Sequence, residues 1–373
     1  ARFEVFADQQ QPGGRGGRHS GNPWRSRRRS ITFTTVNNGD TTWIQTNAGT
    51  MTIGSFTNVG ILRLVNNGDI KQTGAIQANT LAVSTTAGNI DLENTGNNVS
   101  VFTAIDTAVG GTVTFINDTP ALTIDAVAAD PDGCTSAVSG VTTSGGAISI
   151  YNGNTIAGTQ GGTLTINQAI NTGAAGATVV LVANGAVTQS ATGVIIANAL
   201  AVYDTTGDIT LDQANVLGTS TTAGIFAAQD TGTGGNITFA NQTAVTTELK
   251  IDTVSTLPAS FKVPGNTVSG VTTNNGNAGT VTGSISIYNG NTIAGTKGGA
   301  LTINQAINAG TNGGTAKAEG TVALVANGAV TQASTGVIIA SALAVYVTAG
   351  DITLDQANVL GTSTTAGIFA AKD

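Results

Sequence analysis

The strongest constraint on this chain is that it repeats itself. The twelve residues ISIYNGNTIAGT stand at 148–159 and again, unchanged, at 285–296. A longer block, GDITLDQANVLGTSTTAGIFAA, fills 207–228 and returns letter for letter at 350–371. A looser copy precedes both: VNNGDIKQTGAIQANTLAV at 65–83 aligns with VANGAVTQSATGVIIANALAV at 182–202 and VANGAVTQASTGVIIASALAV at 325–345. Three tandem copies of one long unit follow, at 31–147, 148–284 and 285–373, behind an unmatched stretch at 1–30. Repetition on this scale points to architectures in which units stack on one another.

Within each copy the recurring element is very short. ISI (148–150), LTI (164–166), VLV (180–182), LAV (200–202), ITL (209–211), ITF (237–239) and LKI (249–251) all read apolar, small or polar, apolar. That is the period-two signature of a half-buried strand. Gly and Asn punctuators such as NGN, QGG, TTG and GTGG lie between them and suit tight turns. No window of the body shows a capped helical period, so an all-β chain of many short strands is expected.

The strands are shorter, and more irregularly spaced, than those of sandwiches and propellers. A parallel β-solenoid accepts both features, because each coil pairs vertically with the next and insertions leave at the corners. About 17 coils of about 20 residues would make a rod of about 80 Å. The third copy has AINAGTNGGTAKAEGTVALVANG where the second has AINTGAAGATVVLVANG, six residues longer, and a corner absorbs such a difference.

Composition agrees with a thin core. Gly numbers 51, aromatics are 4% and charged residues 9%, while hydrophobic residues make up 40%. Val, Ile, Leu and Ala must therefore fill it. No window approaches the roughly 18 consecutive apolar residues of a membrane span, and membrane insertion is not expected. The N-terminal ARFEVFADQQ lacks a signal-peptide pattern and reads as a processed terminus or an internal fragment.

Charge divides unevenly. Residues 1–30 hold Arg2, Arg15, Arg18, Arg25, Arg27, Arg28 and Arg29 against Glu4 and Asp8, a net +5, and the remainder carries −12 of the total −7. A basic arm on an acidic body can bind nucleic acid, anionic lipid, glycan or the acidic body of another copy. The last option needs no other partner and is the reading adopted, with no nucleic acid.

Little points to catalysis. Polysaccharide-active β-helices need clustered carboxylates beside a Lys or Arg, yet the body has one Arg, Arg63. Its most suggestive acidic pair, Asp208 and Asp212, recurs as Asp351 and Asp355, as a structural corner would. His19, the one His, lies in the basic arm, which excludes a triad or His-based zinc site in the body. DPDG at 130–133 reads as a turn because the later ligands of a calcium loop are missing, and the lone Cys134 reads as apolar filler. Asn98, Asn117, Asn236 and Asn241 head glycosylation sequons. Thr residues cluster at turns such as STTAG and TSTTAG more than in a strict Thr-X-Thr ladder, which argues against ice binding. No catalytic residue, cofactor or metal is expected.

GGTLTINQAINTG, LVANGAVTQSATGVIIANALAVYDTTGDITL and VSGVTTSGGAISIYNGN resemble the repeats of filamentous-haemagglutinin-like bacterial surface adhesins, over roughly 31–373. The resemblance implies a right-handed parallel β-helix, export to the cell surface, and adhesion or fibre building. The Arg-rich 1–30 match nothing in the repeat.

The expectation is thus a non-enzymatic extracellular protein whose copies join head to tail, the basic leader of one docking on the acidic open end of the next by strand addition. Phe3, Val5 and Phe6 would form the docking strand, Arg25, Arg27, Arg28 and Arg29 the electrostatic contact, and Phe369 and Asp373 the receiving end. The alternative is a segment of a giant adhesin that binds surface glycans or host surfaces.

Overall fold

The chain is all-β. A computed structural model describes residues 31–37, 41–46, 49–129, 136–153, 162–173, 176–242, 248–255, 257–274, 283–290, 299–310, 320–361 and 365–373. One 32-stranded parallel sheet takes in nearly every described strand, with two small antiparallel hairpins beside it. Among the described residues helix is limited to two short 3-10 turns, Ala259–Phe261 and Pro264–Asn266.

All seven tripeptides read from the sequence lie in strands. Ile148 and Ile150 are buried, as alternation requires, and Asn152 closes the strand with its side chain also buried. Gly153 follows at φ 111°, and Gly290 repeats that role after Ile285–Asn289 at φ 142°, a conformation open to glycine and strained for other residues. Some strands run much longer than expected: Met51–Asn66 has 16 residues because its two halves pair with different neighbours.

The sheet consists of two ladders that the chain visits in turn. Ladder A is built from rungs beginning at Ile31, Met51, Ile70, Ile90, Val113, Ile148, Thr178, Ala199, Gly224, Leu249, Leu301, Val330 and Ile352. Ladder B begins its rungs at Thr41, Ile61, Thr80, Val101, Ala121, Thr163, Val187, Ile209, Ile237, Ile285, Thr321, Ala342 and Ile368. Among the described residues each ladder therefore has thirteen rungs, where about seventeen coils were expected, and two hairpins are withdrawn from the ladders.

A rung is either one long strand or two short ones, and the two kinds change sides. From Val113 to Ala199 the long strand is in ladder A, and ladder B carries pairs such as Thr163–Ile166 with Ile170–Asn171. From Ile237 onward the long strand is in ladder B, and ladder A carries pairs such as Leu301–Ile303 with Ile307–Asn308. The identical strands Ile148–Asn152 and Ile285–Asn289 consequently sit in opposite ladders. The repeat is four and a half windings long, so copying it reverses the side.

Both changeovers use the same devices. Phe102 of ladder B stacks on Phe115 of ladder A with ring centroids 4.1 Å apart, and Phe226 on Phe239 at 3.9 Å with the ladders exchanged. Asn117 Oδ1 accepts the Val99 N–H at 2.9 Å and Asn241 Oδ1 the Leu217 N–H at 2.8 Å, so a side chain bridges the backbone where two short strands meet one long strand. Inward residues from both ladders form one continuous apolar core.

Two insertions leave the ladders as hairpins. One pairs Ala126–Val127 with Val138–Ser139, the other Thr253–Val254 with Val268–Ser269. The second folds over the outer side of ladder A, where Val254, Leu257, Phe261, Val263 and Val268 cover outward residues including Tyr151, Val182 and Tyr203. It reaches far enough for Ser260 to stand beside Glu93, whose carboxyl is raised mainly by burial. The first hairpin is held by Arg63, whose guanidinium donates to the Ala128 carbonyl at 2.5 Å. The single body Arg thus has a structural partner.

The six-residue difference between copies leaves the ladders unmoved. Ile307 and Val322, on either side of it, pair with Ile338 and Ile285 as their counterparts do one repeat earlier.

Candidate functional site

Phe3, Val5, Phe6, Arg25, Arg27, Arg28 and Arg29 lie outside the described residues, as do His19, Cys134 and the DPDG turn. Phe369 and Asp373 belong to the last described segment. Ile368–Lys372 is the final rung of ladder B, paired below with Ala342–Val347. Ile368 is 65% and Phe369 55% exposed. Phe226, which holds the place of Phe369 one repeat earlier, is fully buried against Phe239. Asp351, Asp355 and Asp373 are all exposed in these last rungs. An apolar ring and three carboxylates thus share one end of the described structure.

The other sequence candidates do not converge on a reaction centre. Asp208 and Asp212 flank the inward Ile209 and Leu211, four positions apart along a strand, or about 13 Å. Paired glycosidase carboxylates stand about 5 to 9.5 Å apart. Asp208 Oδ1 instead accepts the Asn236 N–H at 2.8 Å and its amide at 3.1 Å, tying adjacent corners. Among the described residues no group of three or more His, Cys, Asp or Glu is placed to hold a metal. No described helix is long and apolar enough to cross a membrane.

Burial separates the sequons. Asn117 and Asn241 are fully buried, and their amides donate to Asn152 Oδ1 at 3.0 Å and Asn289 Oδ1 at 2.9 Å. A glycan cannot be attached there in the folded protein. Asn98 is exposed and Asn236 half-buried.

Thr also forms a file that the linear sequence does not reveal. Thr123, Thr165, Thr188, Thr210 and Thr238 stack in unbroken register on the outer side of ladder B. The sequence conceals this file because its members lie 22 to 42 residues apart. It is a single file: the next outward position two residues on holds Asp125, Asn167, Ser190 and Asp212, so it does not widen into a flat Thr surface.

Buried carboxylates are the remaining polar feature. Asp204 and Asp230 stand opposite each other in ladder A with their side chains inward. Burial, reinforced by neighbouring carboxylates, raises each to about 7. Asp106, the counterpart of Asp230 in the first copy, is raised to about 6 mainly by burial. Backbone N–H groups of Thr205, Thr206 and Gly232 offset part of that cost.

Sequence reasoning missed three amide pairs, Gln72 with Asn97, Gln189 with Asn215 and Gln332 with Asn358. It also missed the hairpin covers. The amides had a signal, since Gln and Asn recur at those places in all three copies.

No protein-family model, curated protein or solved structure matches the chain.

Proposed function

We propose that this protein is a non-enzymatic structural subunit whose two ladders are the sides of a right-handed parallel β-helix, about 60 Å long at about 4.8 Å per rung. Copies join head to tail into an adhesive filament at the cell surface or outside the cell.

The observation that carries this reading is the complementary register of two described rungs, Ile368–Lys372 and Ile31–Asn37. Ile368–Lys372 stands on Ala342–Val347 as Gly224–Thr233 stands on Ala199–Asp204. Ile31–Asn37 lies under Met51–Ile53 as Leu249–Ile251 lies under Leu301–Ile303. Within one repeat Gly224–Phe226 and Leu249–Ile251 are direct neighbours. By the same register, residues 31–33 of one copy fit onto 367–369 of another.

Between those rungs the repeat requires one further strand, VTFIN at 113–117 in the first copy and ITFAN at 237–241 in the second. The leader contains EVFAD at 4–8. Phe6 then takes the place of Phe115 and Phe239 and stacks on Phe369, closing the ring pair that each changeover uses. Arg25, Arg27, Arg28 and Arg29 meet Asp351, Asp355 and Asp373 of the neighbour. The contact is heterologous and does not close on itself, which makes a fibre.

The second reading, a stretch of a longer adhesin presenting its sides to surface glycans, keeps the same winding and rests on the repeat resemblance. Sedimentation of the full chain separates the two. The filament requires large species that Phe369→Glu and removal of 1–30 each dissolve. Monomers in all three samples would remove it.

A further inference from the structure

The outer side of ladder A and the outer side of ladder B are near copies. Ser149, Tyr151, Val182, Ala201, Tyr203 and Ala227 face outward from the long strands of the second repeat. Ser286, Tyr288, Val325, Ala344, Tyr346 and Ala370 hold the same places in the third. Their surroundings differ. Tyr203 is 9% exposed beneath the 252–270 hairpin, Tyr346 is 39% exposed, and Ala344 is exposed where Ala201 is fully buried. The described contact on the Tyr346 ring is Lys372 Nζ, 5.5 Å from its centroid.

We propose that the outer face of Ile285–Asn289, Thr321–Ala326, Ala342–Val347 and Ile368–Lys372 is a docking site for an apolar β-hairpin of the 252–270 kind. The occupant is identified by what covers the same face one repeat earlier: Val254, Leu257, Phe261, Val263 and Val268, with Phe261 5.7 Å from Tyr151 at a tilt of 46°.

Size separates this occupant from a second copy packed face to face. Four strands about 4.8 Å apart and six residues at about 3.3 Å give about 400 Å². A stable protein pair buries roughly 800 Å² on each partner. A single hairpin of 19 residues is already sufficient to cover the equivalent face. The sites are not quite identical, because Ala323 replaces Val180. That substitution deepens the centre of the face and leaves room for a side chain as large as Phe261.

The face shares Ile368–Lys372 with the end-to-end joint of the preceding section, but through its outward Ala370 rather than its inward Phe369, and the variants that test it, at Tyr346 and Ala344, lie one rung away from that joint. The probe is a fluorescent peptide of residues 251–271, cyclised to hold it as a hairpin, titrated against the full chain. Saturable binding is expected, weakened at least tenfold by Tyr346→Glu or Ala344→Arg and by F261S in the peptide. Thr353→Glu, on the opposite ladder, should leave it unchanged. Both protein variants alter exposed positions, and circular dichroism checks that they keep the wild-type spectrum. Absence of saturable binding, or equal binding by wild type and both face variants, overturns the proposal.

Discussion

Gln189 Nε2 donates to Asn215 Oδ1 at 2.7 Å across adjacent rungs, and Gln332 and Asn358 reproduce the bond at 2.7 Å one repeat later. Asn215 Oδ1 also accepts the Ile195 N–H at 2.8 Å, while its amide reaches Leu211 and Ala240 carbonyls. The side chain replaces the ladder bonds missing where a strand bends around a corner.

Removing it should leave several buried backbone groups without partners. Asn215→Ala is expected to cost about 2 to 4 kcal/mol, since each orphaned group costs about 1 to 3 kcal/mol. Urea unfolding checks this: the midpoint of the affected transition should fall with little change in slope. Asn215→Asp, which keeps the acceptor and loses the donor, should fall in between.

Stability should decline as pH rises from about 4 to 7. Asp204 and Asp230 titrate at about 7 in the folded chain, against about 3.9 when unfolded. Over that interval the native state holds protons that the unfolded state has released. Stability is therefore greatest at the acid end, falls by up to about 1.4 kcal/mol per pH unit for each group, and levels off above 7. The third repeat carries Val347 at the place of Asp204, fully buried. Asp204→Val should accordingly flatten the curve and raise the urea midpoint at pH 8. A wild-type midpoint that does not change with pH would contradict this.

The hairpin over ladder A should open on loss of its central ring. Phe261 is fully buried, and Phe261→Ala should cost about 3 kcal/mol. Hydrogen exchange should report the loss at 252–270 and along the outer strands Thr178–Ala183 and Ala199–Asp204. The interior of ladder B should keep its protection. Uniform loss across both ladders would show that the hairpin is part of the core.

Glycine is required where successive rungs approach most closely. A Cβ on Gly193 would overlap the Ile166 carbonyl, and one on Gly336 the Ile303 carbonyl. Gly193→Ala must push two rungs apart, and a fall in the urea midpoint greater than that of an exposed Gly→Ala change is expected.

The rungs themselves were legible because ISI, LTI and ITL carry a two-residue period that needs no context. Asn152 and Asn289 are different: nothing local distinguishes a buried Asn in a ladder from an exposed Asn in a turn, and only stacking on Asn117 and Asn241 buries them. The half-winding offset was hidden for a similar reason. A repeat of 137 residues, from Ile148 to Ile285, states how often the sequence recurs but not how many residues leave the ladders as loops. Residues 252–270 were hidden too, because Val254, Phe261 and Val268 cover a face that alternation alone assigns to solvent. Phe369 was recognisable at the candidate end from its place in the copied IFAA, whereas its ring partner is identified by the Phe226–Phe239 stack.

The central claim is that one copy continues the winding of another through the leader and Phe369. Electron microscopy with fibre diffraction of the full chain tests it most directly. Uniform fibres are expected, with a meridional spacing of about 4.8 Å and an axial subunit repeat of about 65 Å, thirteen and a half rungs once the leader strand is added to the two ladders. They should vanish on deletion of 1–30 and on Phe369→Glu. Isolated rods of about 60 Å in every sample, or fibres indifferent to both changes, would contradict the account.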